Sequence, residues 1–300
     1  MKKKTYLFAL MAMALTLGSC SDNENGIGGE TSKYITVSTS IGNMTRVATD
    51  ANGGQTFEEG DEISVYAWIG APTVAPETSE RVVNNAINKL TNGSWVSTPQ
   101  MLWKNNRDKH YFIGVYPTAA ISDFTAGEYK LDVAKQEDSD LLVAVNKDGI
   151  SYNVDEQQPV PLTFTHVMAK LVVNLTYKNQ WGGIPTVEKV VVGNAAKEAT
   201  INYLTKVVTP STTAKEDFSL PEITENTKYV SVIIPQEDVK QLTIVIGGKN
   251  FVYDNGTPFK LESGKITTVN LEVGRDEIKL GDVKITDWEN GSTFSGEALN

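Results

Sequence analysis

The chain reads as all-β, and three observations carry that reading. Along most apolar segments, hydrophobic and polar residues alternate with period two rather than 3.6. Gly, Pro, Asn and Asp break those segments at short intervals, as at Asp254-Asn255-Gly256 and Glu262-Ser263-Gly264-Lys265, which suit tight turns. Only Val82 to Leu90 has the form of a short helix, and its β-branched start disfavours one. At 300 residues, 40% hydrophobic and 21% charged, the chain has a globular composition and length for two β-sandwiches.

The N-terminal residues have a different character. Lys2, Lys3 and Lys4 precede an apolar run from Tyr6 to Leu17, too short to span a bilayer stably but suited to a secretory leader. Leu17-Gly18-Ser19-Cys20 follows and resembles a bacterial lipobox. Cys20, the only cysteine in the chain, is therefore the expected lipid-attachment residue and residues 1–19 the expected signal peptide. Acyl chains bury about 0.8 kcal/mol per methylene, so several on one residue give a stable anchor. Residues 20–32, polar and glycine-rich, read as a flexible tether, and Asp22 and Glu24 within them resemble the export signals of surface-exposed lipoproteins.

From Lys33 onward the strands follow one another. Ile35, Val37, Thr39 and Ile41 share one face of the first. Then come Glu62 to Trp68, His110 to Tyr116, Tyr129 to Val133 and the short apolar run Leu141 to Val145. The second half continues with Lys170 to Leu175, Val187 to Val192, Tyr229 to Ile234, Leu242 to Ile246 and Thr267 to Val273. Between the halves, Pro159 and Pro161 close an acidic, glutamine-bearing segment, Asp155 to Pro161, that reads as a stiff linker. A boundary near residue 158 gives domains 33–158 and 159–300, each of ordinary size. Beyond the apparent last strand, Ile278 and Leu280 alternate, Gly281-Asp282 has the makings of a bulge, and Val283 and Ile285 alternate again before Trp288. The chain thus has an apparently removable first strand and a surplus last one, the parts for strand exchange between subunits.

Charge and rare residues narrow the function. With 27 Lys and Arg against 37 Asp and Glu, the net charge is −10, and loss of the three leader lysines takes it to −13. That argues against a nucleic-acid partner, which needs a basic footprint. One cysteine and two histidines rule out an internal disulfide and a Cys/His zinc cluster. The acidic stretch Glu58-Glu59-Gly60-Asp61-Glu62 lacks calcium-loop spacing and reads as a solvated turn, as does Glu137-Asp138-Ser139-Asp140. Gly182-Gly183 and Gly247-Gly248 lie in no strand–loop–helix context and are not phosphate cradles. His166 has no nucleophile motif beside it and reads as structural. No catalytic, cofactor or metal site is expected. The five tryptophans, Trp68, Trp95, Trp103, Trp181 and Trp288, read as core, with a glycan-stacking platform as the alternative.

Several segments, in this order, carry a family resemblance: the lipobox, Thr45-Arg46, Phe57 to Tyr66, Tyr111 to Pro117, Leu162 to Leu171, Ser263-Gly264-Lys265 and Ile285-Thr286-Asp287-Trp288. In them the chain resembles the fimbrillins, the lipoprotein-derived type V pilins of Gram-negative anaerobes. The resemblance implies two transthyretin-like, Greek-key β-sandwich domains in tandem and an outer-membrane lipoprotein precursor anchored through Cys20. It also implies cleavage by an arginine-specific surface protease between Arg46 and Val47, which removes the first strand, 33–46. A neighbouring subunit's strand then fills the groove lined for Ile35, Val37, Thr39 and Ile41. Within this chain the expected donor is 276–288, with Ile278, Leu280, Val283 and Ile285. The implied partners are other pilin subunits (shaft, tip or anchor), and the implied role is adhesion or biofilm formation. The competing expectation is a monomeric surface glycan-binding lipoprotein, which requires exposed, coplanar tryptophans.

Overall fold

The structure, a computed structural model, describes residues 33–42, 56–136, 138–153, 158–254, 256–275 and 278–288. The leader, Cys20, the tether, Arg46 and Val47 lie outside the described residues.

The first half forms β1 (Val37–Ile41), β2 (Glu62–Ile69), β3 (Val83–Thr91), β4 (Ser94–Thr98), β5 (His110–Tyr116), β6 (Gly127–Lys130), β7 (Leu142–Ile150) and β8 (Val160–His166). The second half opens with β9 (Ala169–Tyr177), β10 (Val187–Ala196), β11 (Glu198–Asn202), β12 (Val207–Pro210), β13 (Lys215–Ser219) and β14 (Glu222–Thr224). It closes with β15 (Lys228–Ile233), β16 (Gln241–Ile246), β17 (Lys249–Asp254), β18 (Lys265–Val273) and β19 (Ile278–Asp287). Two single-turn 3-10 segments, at 78–80 and 179–181, are the only described helical elements, so the all-β class holds.

Four sheets result. A seven-stranded sheet runs β1-β8-β7-β5-β2-β3-β4, and a five-stranded one runs β14-β15-β9-β18-β19. A four-stranded sheet, β13-β10-β16-β17, and a three-stranded one, β12-β11-β6, complete the set. The centre of the seven-stranded sheet is covered on both faces. Ile63, Val65 and Ala67 of β2 point into a core shared with Val37, Phe112, Leu162 and Phe164. Tyr66 and Trp68, on the opposite face, join a larger core that continues through Leu171, Val190, Ile244 and Val269. That two-sided burial explains why β2 and β5 read as nearly continuous apolar runs.

Two segments depart from the expectations. Of Val82 to Leu90, the one helix candidate, all but Val82 lies in the β3 hairpin strand. Asn85 takes a positive φ of 57° there and hosts a bulge opposite Tyr66, and its Oδ1 accepts a hydrogen bond from the Tyr66 hydroxyl at 3.1 Å. The bulge breaks strict alternation, which is what lent the segment its helical look. Pro159 to Pro161, read as linker, lead into β8, which pairs with both β1 and β7. The chain therefore completes the first sheet beyond residue 158 and changes sheet at Val167-Met168, between β8 and β9. Pro161 is tolerated in an inner strand because the neighbouring Val160 N–H is the one that faces β1, bonding Thr36 O at 2.8 Å. The Pro161 nitrogen points the other way, and the β7 ladder reaches only residues 164–166.

A buried polar cluster pins the 119–122 loop against the larger core. Ala119 N–H donates to Ser64 Oγ at 3.0 Å and Ile121 N–H to the Tyr66 hydroxyl at 2.9 Å. The Arg81 guanidinium donates to Ile121 O and Ser122 O at 2.5 and 2.6 Å and lies 3.9 Å from the centre of the Phe124 ring. Burial lowers the Arg81 pKa and raises that of Tyr66, since both charged forms lose water there.

Candidate functional site: two edge strands

The residues singled out as the groove and the donor strand lie on two edge strands in different sheets. β1 ends the seven-stranded sheet and β19 ends the five-stranded one.

The first strand is zipped on both sides in turn. Its leading residues pair antiparallel with the segment after β4: Trp103 N–H donates to Lys33 O at 3.1 Å and Ile35 N–H to Met101 O at 2.9 Å. From Thr36 the strand turns to β8 and runs parallel to it, from Val37 opposite Val160 to Ile41 opposite Phe164. Gly42 N–H closes the ladder on Phe164 O at 2.8 Å. Period-two alternation then sends Ile35, Val37 and Ile41 into the core, at 2%, 5% and 7% exposure. Thr39 is half-buried, and its Oγ1 accepts a hydrogen bond from Trp95 Nε1 at 3.0 Å.

Trp95 belongs to β4, the opposite end of the same sheet, so this bond joins the two ends. The sheet curls until β1 and β4 face each other across a groove of about 680 Å³ lined by β1, Phe57, Leu90 and Trp95. Phe57 plugs its floor, edge-on to Trp95, Tyr116 and Phe164 at centroid distances of 5.3, 5.5 and 5.1 Å. The sequence reading missed Trp95 and Met101-Leu102-Trp103 as partners of the first strand. A single side-chain bond and a one-bridge contact leave no periodic trace, so no signal in the sequence marked them.

β19 presents the opposite case. It pairs antiparallel with β18 from Lys265 opposite Asp287 to Val273 opposite Ile278. Gly281 is the extra residue between Asp282, opposite Asn270, and Leu280, opposite Leu271. The bulge keeps Ile278, Leu280, Val283 and Ile285 on one side of the strand. Ile278 is half-buried, while Leu280, Val283 and Ile285 remain 36%, 37% and 39% exposed. The structure does not bring this row together with Ile35, Val37, Thr39 and Ile41.

The remaining candidates resolve into packing. In the acidic turn, Glu58 N–H donates to Asp61 Oδ2 at 2.7 Å, Asn92 N–H donates to Glu59 Oε1 at 2.7 Å, and Glu62 pairs with Lys89 at 3.0 Å. Among the described residues, no cluster of three His, Cys, Asp or Glu side chains is arranged to hold a metal. His110 is fully buried; its Nδ1–H donates to Asp108 O at 3.1 Å and its Nε2 accepts Lys104 N–H at 3.2 Å, which fixes the neutral ring. Burial lowers its pKa. His166 bonds Asp140 through Nδ1 at 2.8 Å and stacks on Trp288. The tryptophans form no platform: Trp68 and Trp288 are buried, Trp95 binds Thr39, Trp103 packs on His110 and Phe112, and Trp181 Nε1 donates to Val273 O.

Comparison with known proteins places this architecture. A family model described as fimbrillin-like matches residues 45–288. Among solved structures, a candidate cell adhesion protein from Bacteroides uniformis ATCC 8492 superposes with TM-score 0.65 at 17% identity, covering 86% of this chain and 100% of that one. A second such protein, from Bacteroides ovatus ATCC 8483, gives TM-score 0.62 at 18% identity, covering 85% and 98%. The tip fimbrial protein Mfa3 from Porphyromonas gingivalis, with a C-terminal truncation, gives 0.50 at 13% identity, covering 77% and 95%. No curated protein matches. The structural likenesses establish a shared fold, and the family match, which runs from Thr45 through the last strand to Trp288, establishes that the chain belongs to the fimbrillin-like family.

Proposed function

We propose that this chain is exported as an outer-membrane lipoprotein through acylated Cys20, cleaved between Arg46 and Val47 by an arginine-specific surface protease, and polymerised by strand exchange. Family membership supplies the coarse role, a non-enzymatic structural subunit of a cell-surface fimbria; the steps of assembly and a contribution to adhesion or biofilm formation are our reading. In it the chain forms two tandem sandwich domains. Loss of residues 33–46 opens the first, and Ile278, Leu280, Val283 and Ile285 of a neighbouring subunit take the places of Ile35, Val37, Thr39 and Ile41.

One observation supports this above the others: an edge strand fills a core while another edge strand holds an equal row of apolar side chains near water. Removing the first strand leaves unpaired backbone groups on β8 and on 101–103 beside an apolar wall, an arrangement that accepts a strand in its place. Each aliphatic side chain newly buried contributes about 1.5–3 kcal/mol and each ladder hydrogen bond about 0.5–1.5 kcal/mol, against association and ordering costs of comparable size. The mature chain, treated with an arginine-specific protease, should give a heat-labile ladder on a gel whose subunits begin at Val47. A chain ending at Arg275 should be cleaved but form no ladder. A full ladder from that truncated chain would overturn the donor assignment, and a start other than Val47 the cleavage site.

A further inference from the structure

Among described strands longer than five residues, β19 is the only one that buries no side chain. Its hold on the sheet is the ladder to β18, supplemented by exposed polar contacts such as Lys265 to Asp287 and Asn270 to Asp282, a kind that contributes little in water. The next residue reverses the pattern. Trp288 is 8% exposed and lies flat on the His166 ring, with centroids 4.1 Å apart and planes 6° from parallel. Lys170 Nζ sits 5.1 Å from the Trp288 ring centre, and Trp288 N–H donates to Gly264 O at 2.9 Å.

The stacking partner of that ring comes from the seven-stranded sheet, whereas Lys170 lies in β9 of the same sheet as β19. His166 ends β8, and its Nδ1 is held by Asp140, which lies just before β7. The Ser263-Gly264-Lys265 turn closes the third side: Ser263 Oγ donates to Val167 O at 2.8 Å and Gly264 N–H to Met168 O at 2.8 Å. A long strand without fully buried side chains thus has a half-buried isoleucine, Ile278, packed on the core at its start and one buried aromatic ring just past its end, at the place where the chain changes sheet.

We propose that Trp288 is a latch: while its ring is seated between His166 and Lys170, β19 stays on β18, and when the ring leaves, the strand peels from β18 as a unit. This rests on the reading of β19 as donor strand, and it adds the step that frees it. Local opening follows local contacts, and here the one buried side chain at the strand is that of Trp288, with Ile278 only half-buried at the other end. Unseating Trp288 removes its contacts while leaving the core beneath β18 intact, because no β19 side chain belongs to that core's buried set.

Hydrogen exchange on the full mature chain tests the latch. Trp288→Ala should speed exchange in peptides covering 278–287 by tenfold or more, a tenfold change being about 1.4 kcal/mol of opening. His166→Ala should act in the same direction, and Trp288→Phe, which keeps a ring to stack, should stay near wild type. Peptides from β2 and β5 should remain as protected as in wild type. Unchanged exchange in 278–287, or a rise spread equally over β2 and β5, would overturn the latch. Assembly of the cleaved chain separates the two readings: Trp288→Ala should hasten ladder formation. Faster exchange in 278–287 without any change in ladder formation would keep the latch and overturn β19 as donor.

Discussion

β1 and β19 are both edge strands with apolar residues at alternate positions, yet they stand in opposite relations to the protein. β1 and the residues leading into it send Ile35, Val37 and Ile41 into a core closed by Phe57, Phe112 and Phe164. β19 leaves Leu280, Val283 and Ile285 more than a third exposed and buries only the tryptophan after its end. The difference lies in what stands behind each strand. A curled seven-stranded sheet wraps its own core around β1, whereas β19 extends a sheet past the edge of the core that sheet covers. Burial is a property of position in the sheet, and the alternating pattern supplies a candidate for either.

Charge substitutions should separate the strands most widely. Val37→Asp places an unpaired carboxylate among apolar side chains and should cost at least about 3 kcal/mol, lowering the melting temperature by roughly 6–12 °C. Val283→Asp should move it by less than about 2 °C while abolishing ladder formation after cleavage. Equal thermal losses from the two would break the comparison. Glycines give a smaller contrast. A Cβ on Gly114 of β5 would lie 2.6 Å from Phe164 Cζ, in the strand that holds β1, so Gly114→Ala should cost about 1–3 kcal/mol in denaturant unfolding. Gly281→Ala, with its nearest contact at 3.2 Å to Asn270 O, should cost less because an edge strand can shift away.

Thr39→Val tests the Trp95 link across the seam. It removes the acceptor of Trp95 Nε1 and should cost about 1 kcal/mol, with faster hydrogen exchange confined to β1 and β4. The smallest effect is on pH. Burial lowers the folded-state pKa of His110 below its unfolded value of about 6.5. Between those two values the unfolded chain binds the extra proton, so the contribution is fully present above pH 6.5 and is lost as pH falls toward the folded pKa. Protonation also removes the Nε2 acceptor of Lys104 N–H, beside the residues that hold Lys33 to Ile35. Thermal melts between pH 7.5 and 5.5 should show a shallower loss for His110→Gln than for the wild type.

Much of this was legible in the residues. The strands around Ile63, Phe112, Leu171, Val190, Ile244 and Val269 stand where the alternation and the apolar runs put them. The bulge at Gly281-Asp282 and the turn at Gly264, whose φ is +68°, were legible because glycine marks conformations that other residues rarely adopt. β8 was hidden because Pro159 and Pro161 carry a strong general meaning, and only the pairing shows that the lost donor at Pro161 faces a side without a ladder. β3 was half-hidden by the bulge at Asn85.

The sequence by itself determined the all-β class, the sides of β1 and β19 on which their apolar residues fall, and the polarity of the turns between strands. These follow from the backbone's two-residue repeat and from local steric rules that need no distant partner. The tertiary structure decided the rest: that Ile35, Val37 and Ile41 are covered and Leu280, Val283 and Ile285 are not, that Trp95 reaches Thr39, and that Trp288 finds His166. Those outcomes depend on which strands become neighbours. Residues 56 and 122 positions apart meet only after seven strands have curled into one sheet and the chain has crossed to the next.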